Sequence, residues 1–498
     1  MGRDVEHMVF TREDRRRFRD RIRQSLDALT QMLRESQFEF ERPLTGLEIE
    51  LNLVDDDGEP ANVNAQVLDR LADPAFQTEM GQFNIEINVP PKEIGGRGLA
   101  DFEDAVRSSL NSADQKARTE GGRLVMTGML PTLMPRHVSL DALSASPRFA
   151  LLNDQIFAAR GEDMHLSISG VEQLTTYIDS ITPEAACTSV QLHLQVSPDR
   201  FANFWNAAQA IAGVQLALGA NSPFLFGMEL WRETRIPLYE QVTDTRPQEL
   251  KEQGVRPRVW FGERWITSVF DLFEENARYF PALLPICEDA DPLEVLAAGQ
   301  VPKLDELALH NGTIYRWNRP IYAVVDGRPH LRVENRVLPA GPTVVDAMAN
   351  AAFYYGLVRT LADQERPVWT QMSFSAAEEN FHVGARHGID ATVYWPALGP
   401  VPAGELVLRR LLPMAYEGLD AWGVDPAERD RLLGIIERRC VTGTNGAAWQ
   451  VATVHELEDS GGMDRIPALH EMLARYVENM HTNAPVHTWE SQTPFGYS

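Results

Sequence analysis

Four stretches of this chain alternate between aliphatic and polar residues, and their polar sets share one peculiarity. In residues 45–53, Leu47, Ile49, Leu51 and Leu53 alternate with Glu48, Glu50 and Asn52. In 81–90, Phe83, Ile85, Ile87 and Val89 alternate with Gln82, Asn84, Glu86 and Asn88. In 188–196, Val190, Leu192, Leu194 and Val196 alternate with Gln191, His193 and Gln195; in 330–337, Leu331, Val333 and Val337 alternate with Arg332, Glu334 and Arg336. A period of two makes each a strand with one apolar and one polar face. Any one alone reads equally well as a solvated face with a local ion-pair ladder. Together they do not, because none of these polar positions holds the lysine or threonine that a water-facing strand normally mixes in.

The polar residues suggest their chemistry. Glu48, Glu50, Glu86 and Glu334 repel one another if gathered on one surface, unless cations lie between them. Glu79 is a further carboxylate just upstream of its strand. Oxygen ligands with at most one imidazole, from His193, suit Mg2+ or Mn2+ better than Zn2+; the bland alternative for His193 is a hydrogen-bonded core residue. Arg332 and Arg336 flank Glu334 and suit phosphoryl oxygens, implying an anionic ligand such as a nucleoside triphosphate. Arg232 and Arg235, in the loop-like stretch 227–239, fit either a clamp on a substrate carboxylate or surface ion pairs. No Walker loop, dinucleotide fingerprint or nucleophile elbow is present.

Composition narrows the setting. A formal net charge of -25 disfavours nucleic acid and anionic membranes as partners. Cys187, Cys287 and Cys440 show neither metal-ligand spacing nor a disulfide framework. With no apolar signal region in residues 1–23 and no long apolar run, a cytoplasmic location is expected.

In chain order, residues 11–36 predict a helix opened by a Thr11–Asp14 capping box, with an arginine face (Arg15, Arg16, Arg17, Arg19) that is either solvated or a contact in a homo-oligomer. Residues 99–120 and 201–219 predict helices, and Asp326-Gly327 predicts a hairpin turn. Beyond residue 342, helices are expected over 343–364, 404–419, 426–439 and 464–481, broken by a glycine-rich stretch at 442–446 that suits a bend better than a nucleotide loop. The expected fold class is α+β: a curved antiparallel sheet whose polar face lines a funnel, with helices on its outer, apolar side. Length alone would allow about three domains. The expectation is nevertheless one catalytic unit over 1–498, with an N-terminal helix (1–40), a sheet core (41–342) and a mostly helical buttress (343–498).

The motifs resemble one family. Gly46-Leu47-Glu48-Ile49-Glu50 is similar to the opening Glu-x-Glu strand of glutamate–cysteine ligase family 2, within the glutamine synthetase-like carboxylate–amine ligases. Glu79 with Gly81-Gln82-Phe83 and Glu86 resembles the acidic segment that follows. Val190-Gln191-Leu192-His193 with Ala220-Asn221-Ser222-Pro223-Phe224, and Arg332-x-Glu334-x-Arg336, complete a resemblance spanning about residues 46–357. It implies a glutamine synthetase-like fold and an ATP-dependent ligase that activates the γ-carboxylate of glutamate as an acyl phosphate for attack by an amine, cysteine in the named family. It further implies Glu48, Glu50, Glu79, Glu86, His193 and Glu334 as Mg2+ or Mn2+ ligands, and Arg332 and Arg336 as nucleotide-binding and catalytic. Arg235 or Arg232 would grip the amino-acid carboxylate, with Asn84 and Gln191 as further substrate contacts. A different acid or amine, or a silent nucleotide- or metabolite-binding relative, are the competing implications.

Overall fold

The structure is a computed structural model that describes residues 9–40 and 44–490. Its organising element is a seven-stranded antiparallel sheet built from β1 (Leu44–Val54), β2 (Phe76–Thr78), β3 (Asn84–Glu93), β4 (Arg123–Val125), β5 (Val190–Gln195), β6 (Asn318–Val325) and β7 (Arg328–Asn335). The order across the sheet is β6-β7-β5-β1-β3-β2, with β4 pairing on the far end of β1. All four alternating stretches are therefore adjacent central strands. Register brings their polar residues onto one face: Glu50 lies opposite Glu86, Glu48 opposite Gln191, and His193 opposite Glu334. At the sheet edge, Asp326 and Gly327 both take positive φ (49° and 75°), the left-handed pair that a two-residue hairpin turn requires.

The aliphatic face packs against helices, as α+β layering demands. Leu47, Ile49, Leu51, Ile85, Ile87, Leu192, Leu331 and Val333 are buried in one core with the helices Phe201–Gly219 and Val344–Ala362. Both helices are apolar all round because a second helical layer covers them: Phe374–His387 packs on the first, and Leu412–Ala421 and Pro426–Thr442 on the second. A second core joins Pro147–Arg160, Gly446–Asp459 and Arg465–Thr482.

Local readings hold with three exceptions. Residues 404–419 form no uniform helix, since Val407–Leu411 is a wide π turn just before Pro413; proline lacks the N–H that would continue the α pattern. Gln82 precedes its strand and spends its amide on the Asp141 and Leu143 carbonyls instead of joining the sheet's polar face. Arg235 is not in a loop but opens the helix Arg235–Val242. The glycine-rich 442–446 stretch is a helix cap: Asn445 accepts from the Ala448 N–H, and Gly446 sits so close to Asn221 that a Cβ there would lie 2.0 Å from its Oδ1. On the N-terminal helix Arg12–Arg34, Arg15 donates to the Ala282 carbonyl at 3.0 Å and Arg16 pairs with Glu13 at 3.2 Å.

The two helical layers touch backbone to backbone. A Cβ on Gly384 would lie 2.1 Å from the Gly213 oxygen, and one on Gly418 would lie 1.8 Å from the Gly356 oxygen. Neither neighbour is a side chain that can swing away, so Gly384→Ala and Gly418→Ala should each destabilise the protein by about 1–3 kcal/mol through forced helix separation. Denaturant midpoints measure this; a change below about 0.5 kcal/mol in both would contradict the tight crossing.

Candidate functional site

A cavity of about 460 Å³ opens over the sheet's polar face. Of the residues singled out in the sequence, Glu48, Glu50, Glu79, Asn84, Glu86, Gln191, Arg235, Arg332, Glu334 and Arg336 line it. His193 lies just beneath, 5% exposed. The carboxylates gather in two groups, Glu48 with His193 and Glu334, and Glu50 with Glu79 and Glu86; in each, potential ligand atoms lie within 4.8 Å of one another.

Electrostatics divides the two groups. In the second, burial raises all three carboxyls, and mutual repulsion raises two further: Glu79 is pushed up to about 8, with Glu50 adding to the effect, and Glu86 is held well above its ordinary value with Glu79, Glu48 and Glu50 all contributing. Glu50 is raised by burial, although Arg336 and the Ser189 N–H pull the other way. The first group is cation-compensated. Burial would raise Glu334, but Arg319 and Arg336 outweigh it and keep the group ionised. Glu48 likewise ends below its ordinary value against its burial, because His193 stands beside it.

Hydrogen bonds fix these side chains. Glu50 accepts from the Ser189 backbone N–H (2.7 Å), Ser189 Oγ (3.1 Å) and Gln191 Nε2 (2.9 Å). Gln191 in turn accepts from Arg336 Nη1 at 2.5 Å, so it joins Glu50 to Arg336. Asn84 donates to Asn52 at 3.0 Å and Asn88 to Glu86 at 2.6 Å. Arg319 holds Glu334 with a fork, Nε to Oε2 at 2.5 Å and Nη2 to Oε1 at 3.0 Å.

The arginines do not all stand where their sequence suggests. Arg332 donates to His193 Nδ1 (3.0 Å) and also meets His330 Nε2 (3.1 Å). Arg235, 3% exposed, gives Nε to Glu233 at 3.0 Å and its terminal nitrogens to the Arg336 and Val337 carbonyls. It is thus tied to the protein, and its sequence-based role as a carboxylate clamp lacks free donors at those atoms. Arg232 does not line the cavity; Glu229 takes its guanidinium at 2.7 Å. The 220–224 motif explains Arg235: the Asn221 N–H and Ser222 Oγ hold Glu233 (2.8 and 2.7 Å), which holds Arg235.

Among the cavity residues that the sequence did not single out are Arg319, Glu184, Arg148 and Tyr239. Arg319 was legible in principle, since counting outward from the Asp326-Gly327 turn pairs it with Glu334. Glu184, Arg148 and Tyr239 carry no strand periodicity and come from helical elements outside the sheet, so no pattern announces them.

The donor sets fit divalent cations. Three carboxylates whose nearest cation is Arg336, 4.0 Å from Glu50 alone, suit an oxygen-seeking ion such as Mg2+ or Mn2+. His193 Nε2 is 3.0 Å from Glu48 Oε1, yet it makes no aligned hydrogen bond. Because Nδ1 accepts from Arg332, a neutral ring carries its proton on Nε2; His193 as placed supports Glu48 more readily than it ligates a metal.

A pH dependence follows. Glu79 rises from 4.5 when unfolded to about 8 when folded, so the folded state keeps a proton that the unfolded state releases. Its contribution to stability is complete below about pH 4.5 and lost as pH climbs through 8. Metal-free protein should therefore melt at lower temperature at pH 8.5 than at pH 6, and Mn2+ or Mg2+ should raise the melting temperature more at the higher pH. A metal-induced shift independent of pH would refute the carboxylate cluster as the binding locus.

Comparison with known proteins follows the same lines. The family model described as glutamate–cysteine ligase family 2 matches residues 44–466. Among solved structures, the glutamate–cysteine ligase of Francisella tularensis in complex with AMP superposes with a TM-score of 0.53 at 12% identity, covering 90% of each chain. A bifunctional glutathione synthetase from Pasteurella multocida gives a TM-score of 0.47 at 13% identity, over 92% of this chain and 55% of that one. No curated protein sequence matches. The structural likeness is one of fold, whereas the family match spans most of the chain together with all four alternating strands: this protein belongs to glutamate–cysteine ligase family 2.

Proposed function

We propose that the protein is an ATP-dependent carboxylate–amine ligase that uses Mg2+ or Mn2+, with glutamate as the acid and cysteine as the amine. The observation that carries this reading is the pairing of two carboxylate clusters with Arg332 and Arg336 in one cavity. Such a site neutralises a transferring phosphoryl group with both cations and guanidiniums. The family match and the AMP bound by the Francisella tularensis enzyme support an adenine nucleotide and glutamate.

In this reading Glu50, Glu79 and Glu86 would hold one cation and Glu48 with Glu334 another, and His193 keeps Glu48 in place. Bound cations would draw charge from the transferring phosphoryl oxygens. Arg336, anchored by Gln191 and facing Glu334 at 3.6 Å, and Arg332, anchored by His193, meet the remaining charge. A carboxylate oxygen of the acid attacks the terminal phosphorus, ADP leaves, and an acyl phosphate forms. The amine then attacks its carbonyl carbon, the C–N bond forms, and the C–O bond to phosphate breaks, its electron pair leaving with phosphate, which takes up the proton that the amine nitrogen loses. Residues 44–490 act as one catalytic unit, the helices beyond 343 buttressing the sheet.

The test is phosphate release from ATP over a panel of acid and amine pairs, with and without Mg2+. Stimulation by glutamate plus cysteine is expected, and another productive pair would keep the chemistry while replacing the substrates. Glu334→Gln should lower metal-dependent ADP release about a hundredfold or more. Melting curves check that Arg319, left beside a neutral amide, does not unfold the site. Turnover undiminished in a folded Glu334→Gln protein would end the assignment.

A further inference from the structure

Every arginine on the cavity wall but one has a protein partner. Arg316 meets Glu275, Arg319 holds Glu334, Arg332 holds His193, Arg336 holds Gln191 and Arg235 holds Glu233. Arg148, in the first turn of Pro147–Arg160, has no hydrogen-bond or ion-pair partner among the described residues. Near it on the same wall is Glu184, from the turn Thr182–Ala186. Tyr239 stands beside Glu184 and favours its charged form, while Glu184 Oε2 is buried with no donor.

The two residues feel each other's charge but stand outside ion-pair distance. A half-buried guanidinium and a buried carboxylate facing one cavity without closing on each other leave both poorly compensated. Something bearing a negative and a positive group at fixed separation satisfies both. A solvated arginine would explain Arg148 by itself, but it does not explain the orphaned Glu184 oxygen. Burial also holds Glu184 up at about 7, so a cationic ligand there would favour its ionised form.

We propose that Arg148 and Glu184 together grip the zwitterionic head of an α-amino-acid substrate, the guanidinium forking onto its carboxylate and the Glu184 carboxylate accepting from its ammonium. The choice of ligand class rests on the ligase reading above. In that reading both the acid and the amine present this head group, and the experiment separates them. The assignment moves the grip from Arg235, whose guanidinium leans on Trp317 and is already bonded, to a cation that is free.

Calorimetric binding to the full chain tests it, with L-glutamate, 4-aminobutyrate (no α-carboxylate) and glutarate (no ammonium), and with L-cysteine and cysteamine. Wild type should prefer at least one amino acid over its truncated analogues by about tenfold or more. Arg148→Gln should erase the preference over the decarboxylated analogue, and Arg148→Lys should restore part of it. Glu184→Gln should weaken the amino acid and its decarboxylated analogue alike, and spare glutarate. Losses confined to glutamate assign the head group to the acid, and losses confined to cysteine assign it to the amine. Wild type without such a preference, or folded variants that bind all five compounds as wild type does, would overturn the proposal. Hydroxamate formation by wild type from ATP, acid and hydroxylamine reads the ligase chemistry separately: none from any acid sinks that reading while leaving the head-group result standing.

Discussion

Glu50 and Glu86 occupy directly opposed positions on neighbouring antiparallel strands, with Glu79 beside them. Like charges so placed destabilise a sheet, and burial adds the cost of desolvation. The protein's own answer is a raised proton affinity at Glu79 and Glu86, driven first by burial and then by their like-charged neighbours. That answer depends on pH, whereas a divalent cation gives one that does not require protons. The apolar face is what makes the arrangement tolerable, because the doubled helical layer beneath locks strands that would otherwise spread apart.

Glu48 and Glu334 have a different answer, made of fixed positive groups. The fork from Arg319 and the nearby Arg336 hold Glu334 well below its ordinary value against its burial, and the neighbouring His193 draws Glu48 below its own. One half of the site is thus compensated by the protein's own cations, and on the ligase reading a bound divalent cation would compensate the other. Rigidity here comes from well outside the cavity. Asn221 and Ser222 hold Glu233, Glu233 holds Arg235, and Arg235 caps the carbonyls of Arg336 and Val337 where β7 ends. A motif that reads like a ligand loop is therefore part of the frame that aims Arg336.

The sheet and most of its site were readable because period-two alternation survives in sequence whatever packs above it. Glu48, Glu50, Glu86, Gln191 and Glu334 were placed on one face by that rule alone, and register put them side by side. Arg319 needed one more step, from turn chemistry to cross-strand pairing. The helix Pro147–Arg160 and the turn Thr182–Ala186 supply Arg148 and Glu184 through tertiary packing, which has no one-dimensional signature. For Arg232 and Arg235, which the sequence left open between a carboxylate clamp and ion pairs, the structure shows the ion pairs. Free-looking arginines in an irregular stretch proved to have carboxylates two or three residues away, Glu233 and Glu229, and short-range pairing claimed them first.

The chain's charge raises a last question, because a protein at -25 repels a nucleoside triphosphate at long range. On the cavity wall the balance is different: Glu48, Glu50, Glu79, Glu86, Glu184 and Glu334 are matched by Arg148, Arg235, Arg316, Arg319, Arg332 and Arg336. With every carboxyl ionised the wall is locally neutral and gives no steering to a free polyphosphate, and the carboxylates of the Glu50 group, then lacking a cation, would oppose one on contact. A metal–nucleotide complex carries less negative charge and brings the cations that the Glu50 group lacks, so the same acidic exterior that rejects the bare anion discriminates weakly against the complex. On the ligase reading, the acidity of the surface and the carboxylates of the interior thus favour the same form of the ligand, metal first or metal together with nucleotide, over nucleotide ahead of metal.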